Sequence, residues 1–158
     1  MKAPLKIIIT ILICLGVGFA SGFATQSSVS DWYPTLQKPF FNPPSWLFGP
    51  VWTVLYIMMG WAAGLVWSQN IDREIKKKAL LLFTLQLLLN AAWSFLFFGL
   101  RNPFLALVEI VLLWLLIRET YLSFKPIHPL AAKLLLPYWA WVSFATLLNA
   151  AIWWLNKG

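Results

Sequence analysis

Cysteine and histidine are almost missing from this chain: Cys14 and His128 are single copies. One cysteine cannot close a disulfide within a chain. One Cys and one His cannot assemble a Cys/His zinc or iron–sulfur site from a single chain. Charge is scarce too, at 11% of residues, where a soluble domain carries about a quarter. The sequence has no phosphate-cradling glycine loop and no nucleophile–base arrangement. Hydrolysis, phosphoryl transfer and metal catalysis therefore have no visible machinery. The net charge of +7 looks basic, but the basic side chains sit at the ends of apolar runs. There they act as topology signals and headgroup contacts, and nucleic acid is not an expected partner.

What is abundant is apolar and aromatic. The chain is 61% hydrophobic with a mean hydropathy of +0.76, as expected of an integral membrane protein. Backbone polar groups in lipid must be satisfied internally, so helices or a closed barrel are the choices. The apolar runs are continuous, not alternating, which selects helices. Spans are expected at about 5–24, 46–68, 79–99, 103–121 and 132–155. The fold class is thus an all-α membrane protein, one domain over 1–158. It is a five-transmembrane-helix bundle with a long aromatic, proline-rich first loop at about 25–45. The first run also fits a signal peptide, with small residues over Ala20–Ser28. Because it reaches spanning length, a retained helix is the preferred reading. Gly16, Gly18 and Gly22 in that run read as small residues for close helix packing.

Five spans put the termini on opposite sides. Lys2, Lys6, Arg73, Lys76, Lys77, Lys78, Arg118, Lys125 and Lys133 fall on one side; Lys38, Arg101 and Lys157 fall on the other. The excess of basic residues places the N-terminus in the cytoplasm of a bacterial-type cell membrane and the C-terminus outside.

The stretch Trp32–Tyr56 stands out, with three of the eleven tryptophans and five of the ten prolines. Pro34, Pro39, Pro43 and Pro44 forbid a regular helix before Ser45, which is a candidate N-cap. Pro50 and, later, Pro137 should bend their helices. A stiff aromatic loop feeding an apolar helix suggests a lid over a pocket, opened to admit a planar ligand. Within the spans, Trp52 and Tyr56 lie four apart. Gln86, Asn90, Trp93 and Phe97 share a stripe, as do Trp141, Ala145 and Asn149. Buried indole N–H groups need partners, which Asn90 and Asn149 can supply. Two readings stand side by side here: a pocket walled by indoles for a flat conjugated ligand, and plain helix packing. Trp67, Trp153 and Trp154 fit interfacial belts.

Glu109 is the one carboxylate deep in an apolar run. It reads as a structural glutamate, meeting Gln86 on the neighbouring helix, or as part of a proton path. His128 reads as a loop residue, with haem ligation as the sharper alternative. Cys14 reads as a small buried apolar group.

Taken together, the motifs resemble the translocator protein family, also called the tryptophan-rich sensory protein or peripheral-type benzodiazepine receptor family (TspO/MBR). The resemblance is carried by WYPTLQKPFFNPP, GPVWTVLYIMMG, QLLLNAAWSFLFFG, LALVEIVLL and LLPYWAWVSFATLLN. It implies five transmembrane helices, commonly in a homodimer, and a pocket opening toward the first loop. That pocket would bind porphyrins such as protoporphyrin IX, as ligand and not as required cofactor, and other lipophilic molecules. Carried onto this sequence, the site comprises Trp52, Tyr56, Asn90, Trp93, Trp141 and Ala145, with Trp32 and Trp46 in the lid. Trp52 and Trp141 match positions linked in bacterial members to light-dependent porphyrin breakdown. The implied function is porphyrin sensing, sequestration or light-dependent degradation; the alternative is a transporter of porphyrins or other lipophiles. Membrane lipids are the remaining expected partners. The sterol-associated motif of animal members is not intact here. Ala150 stands where its tyrosine would be and Trp154 where its basic residue would be.

Overall fold

In the computed structural model, which describes residues 1–157, the backbone forms five long helices and one short one. Helix α1 spans Ala3–Asp31, its 29 residues reaching about 43 Å. It outruns the expected end at residue 24 by seven positions. The added turns are polar, but Ser21, Thr25 and Ser28 recur on one buried face. Thr25 Oγ1 donates back to the Ser21 carbonyl at 2.8 Å, while Ser28 Oγ accepts from Arg101 Nε, distant in sequence, at 3.1 Å. With these partners the polar face can be buried without an orphaned Thr25 or Ser28 hydroxyl, and the helix continues past the apolar run. The first loop is correspondingly shorter than 25–45. After a single turn at Tyr33–Thr35, only residues 36–44 are irregular.

Helix α2 runs Ser45–Trp67, with Pro50 inside it. Ser45 is its first helical residue, not its cap; Leu47 N–H bonds to the Pro44 carbonyl at 3.0 Å. Helix α3 runs Arg73–Ser94, starting six residues before the expected 79. Glu74 in its first turn complements the helix dipole, and the Lys76–Lys78 run is carried on the helix. Lys76 Nζ also donates to the Trp67 carbonyl at 3.2 Å, closing the end of α2. A π-helical turn, Phe95–Gly99, ends α3, where Leu100 N–H reaches back to the Phe95 carbonyl at 2.7 Å.

Helix α4 spans Pro103–Phe124, capped by Asn102, whose Oδ1 accepts from Leu105 N–H at 3.1 Å. Its turn forces Arg101 to φ 52°. The expected fifth helix at 132–155 is two helices: α5, Pro129–Leu134, and α6, Leu136–Asn156. Pro137 explains the break, because it has no N–H to offer the Lys133 carbonyl. His128 caps α5 through Nδ1, which accepts from Ala131 N–H at 3.4 Å.

Helix α1 lies along α2, α3 along α4, and α4 along α6, with α5 resting on α2. The core is assembled from Met59 and Val66 of α2, Ile110, Leu113 and Ile117 of α4, and Tyr138 and Val142 of α6. Leucines and valines such as Leu81, Leu88, Val108 and Leu112 face outward, as lipid requires. Four of the helical stretches are long and apolar enough to cross a membrane. Helix α4 matches them in length but carries Glu109, Arg118 and Glu119, the last two paired at its exposed end. The protein is an integral membrane protein built as a helical bundle.

Candidate aromatic pocket

One large cavity, about 700 Å³, opens between α1, α2, the end of α3 and α6. Its volume lies within the range of small-molecule sites. Trp52 and Trp141 form its aromatic corner, with ring centroids 6.4 Å apart and planes at 89°. Tyr56, one turn along α2, lies 5.7 Å from Trp52. Phe48 meets Trp141 edge-on at 6.1 Å. On the far wall, Trp93 packs on Phe97 at 5.4 Å. Edge-to-face aromatic arrays of this kind fix one another's orientation and leave flat faces available.

Two polar clusters hold these rings. At the floor, Tyr56 OH donates to Asn90 Oδ1 at 2.6 Å, and Asn90 Nδ2 donates to Tyr138 OH at 2.9 Å. Tyr138 OH in turn donates to Gln86 Oε1 at 2.7 Å. The stripe on α3 thus ties α2 to α6. On the wall, Trp93 Nε1 donates to Asn149 Oδ1 at 2.9 Å, and Asn149 Nδ2 donates to the Pro103 carbonyl at 2.8 Å. Asn149 is the expected partner for an indole; Asn90 serves two tyrosines instead. Among the described residues, the hydrogen-bonded indoles are Trp93 and Trp114. Among the same residues, Trp52 and Trp141 donate to no protein acceptor.

Six of the eight residues assigned to the site line this cavity: Trp52, Tyr56, Asn90, Trp93, Trp141 and Ala145. Trp32 and Trp46 do not. Trp32 stands behind the wall, 5.7 Å from Phe97, with Arg101 over its ring at 6.0 Å. Trp46 is 72% exposed. From the stretch 32–44, Tyr33 alone reaches the cavity. The loop docks on α6, where Gln37 N–H donates to Asn156 Oδ1 at 3.0 Å and Asn156 Nδ2 donates back to the Gln37 carbonyl at 2.8 Å.

The surprise is α1. It contributes a whole wall, from Leu15 and Gly18 through Gly22 to Ser30, none of it in the sequence assignment. The recurrence of small and polar residues at 18, 22, 25 and 26 was the available signal.

Glu109 is not part of the site. It is buried, and neither carboxylate oxygen has a partner among the described residues. The expected bond to Gln86 is absent; Gln86 Oε1 is taken by Tyr138.

An α-helical membrane protein with an indole-cornered pocket at one end of its bundle is the class these features define. The chain belongs to the TspO/MBR family, whose model matches residues 10–155. It is 46% identical over 155 residues to "Tryptophan-rich protein TspO" of Chlorobaculum tepidum, covering 98% of each chain. It is 45% identical over 152 residues to the protein of the same name in Archaeoglobus fulgidus, covering 96% of this chain and 97% of that one. Identity to "Translocator protein" of Homo sapiens is 43% over 130 residues, covering 80% and 76%.

Proposed function

We propose that the protein binds a tetrapyrrole such as protoporphyrin IX in this pocket and senses, sequesters or photochemically degrades it. The Trp52–Trp141 corner, two perpendicular indoles 6.4 Å apart in a cavity of about 700 Å³, carries this reading. A flat conjugated ring gains dispersion and quadrupole contacts from such faces. The free indole N–H groups can meet its polar edge. An indole beside a photoexcited porphyrin can donate one electron, leaving an indole radical cation and a porphyrin radical anion. With the N-terminus cytoplasmic, as the basic residues favour, the pocket lies in the outward half of the membrane.

The alternative, transport across the bilayer, is less well supported. Below the floor formed by Tyr56, Asn90 and Tyr138, Met59 and Ala62 are fully buried, and the small hollow of about 240 Å³ beside Cys14 shares no lining residue with the pocket.

Titration of purified protein with protoporphyrin IX, in the dark and in light, tests the proposal. The expected result is a protein-dependent Soret shift in the dark and bleaching in light. Trp52→Phe and Trp141→Phe should retain the dark shift and lose most of the bleaching. An unchanged Soret band rejects binding; equal bleaching in both variants rejects the photochemical role.

A further inference from the structure

Helices α1 and α2 are in intimate contact at one end and part company at the other. A Cβ on Gly64 would collide with the Ile7 backbone, and one on Gly60 with the Ile11 backbone. Thr10 Oγ1 donates to the Gly60 carbonyl at 2.6 Å, sealing this half. Contact then passes from backbone to side chain: at Gly18 the atoms nearest to a Cβ are those of the Tyr56 ring. One turn further, at Gly22, and on the facing stretch of α2, at Gly49, a Cβ would meet nothing within 4 Å. Gly22 and Gly49 both line the cavity and are both exposed. So are Phe19 and Phe23, at 64% and 76% exposure. The pocket therefore has an open side, facing lipid, between the diverging halves of α1 and α2. Pro50 lies in this half, where α2 lacks the hydrogen bond to the Trp46 carbonyl.

We infer that ligands reach the pocket sideways from the lipid, through a portal between Gly22 of α1 and Gly49 of α2, and not from water past the first loop. The ligand class is thereby narrowed to apolar molecules already dissolved in the leaflet on the first-loop side. Two further observations favour the side route. The loop is tied to α6 by the paired Gln37–Asn156 hydrogen bonds and to itself by Tyr33 OH donating to Asn42 Oδ1 at 2.8 Å. Among the described residues no hydrogen bond bridges the side opening, and its edges are Gly22 and Gly49 with the exposed Phe19 and Phe23, so no hydrogen bond must break for a flat molecule to pass. The inference rests on the cavity being a ligand site but not on the ligand being a porphyrin.

The test uses the protein in proteoliposomes with Cys14→Ala and a reporter thiol at Ala145→Cys, inside the pocket. A lipid-partitioned maleimide and a charged, water-confined thiol reagent are the probes. The lipid-partitioned reagent is expected to label much faster. Gly22→Trp and Gly49→Trp should each slow that labelling by about tenfold or more, a plug in an access route acting on rate. Gly22→Leu, a smaller plug into the same open space, should slow it less and guards against misfolding of the Trp variants. Asn156→Ala, which unties the loop, should leave the rate within about twofold. The inference is overturned if the charged reagent labels as fast as the lipid-partitioned one. It is equally overturned if Asn156→Ala accelerates labelling while the plugs do nothing. Because no porphyrin is used, portal-dependent labelling together with an unchanged Soret band would reject the tetrapyrrole reading alone.

Discussion

Asn90 is the residue whose loss should be felt most. It accepts from Tyr56 on α2 and donates to Tyr138 on α6 while itself on α3. All three side chains are buried, at 3%, 7% and 0% exposure. Asn90→Leu keeps the branched outline of the side chain, with bulkier methyl groups, and removes both bonds. Interhelical hydrogen bonds in membrane proteins average about 0.6 kcal/mol each, so the two together contribute about 1.2 kcal/mol. The greater term is the orphan. Tyr138 keeps an outlet for its proton in Gln86, but Tyr56 is left with a buried O–H and no acceptor, which costs about 1–3 kcal/mol. The expected destabilisation is therefore about 2–4 kcal/mol. Reversible unfolding in mixed detergent–SDS micelles, followed by circular dichroism, measures it. The decisive variant is the double substitution Tyr56→Phe with Asn90→Leu. Removing the orphaned hydroxyl should recover about 1 kcal/mol or more relative to Asn90→Leu alone. If Asn90→Leu costs under about 0.5 kcal/mol, or the double variant recovers nothing, the buried-orphan reasoning fails.

Other substitutions probe the remaining elements. Gly60→Val and Gly64→Val should each destabilise by about 3 kcal/mol or fail to fold, because the added carbons meet α1 backbone; Gly22→Ala, in open space, should be neutral or stabilise by up to about 1 kcal/mol in the same unfolding assay. Asn102→Ala removes the cap of α4 and should cost about 1 kcal/mol, with faster amide exchange confined to the first turn after Pro103. Glu109→Leu deletes a buried carboxylate that has no hydrogen bond to lose, and should be neutral or stabilising by about 1–3 kcal/mol. A loss of stability there would mean that Glu109 has a partner in the membrane.

Much of the fold was legible because lipid imposes simple rules. Spanning length and continuous apolarity mark the first, second, third and last helices, and the short Arg101-Asn102-Pro103 link makes α3 and α4 neighbours. The errors fall where a helix leaves the apolar run. Thr25–Asp31 looks like loop by composition, yet it is helix because one face packs against the end of α3, where Thr25 bonds back to its own helix and Ser28 accepts from Arg101. The basic start of α3 and the break at Leu135 are likewise decided by termini and proline geometry, not by hydropathy.

The site was legible on α2, α3 and α6, where stripes at helical spacing bring Trp52, Asn90, Trp93 and Trp141 to one cavity. It was illegible on α1, and the glycines show why. Gly18, Gly22, Gly49, Gly60 and Gly64 are the same residue type in helices of similar character. Two of them touch backbone across the interface, one meets an aromatic ring, and two face empty space. Which role each takes depends on how far α1 and α2 have diverged at its level, a property of the pair that neither helix encodes alone. A glycine against backbone permits contact, while a glycine facing space leaves a hole. Both are absences of a side chain, and only the crossing geometry separates them. The same residue chemistry that clamps the sealed half of the α1–α2 pair is what keeps its other half open, so the pocket and its wall are products of one interface.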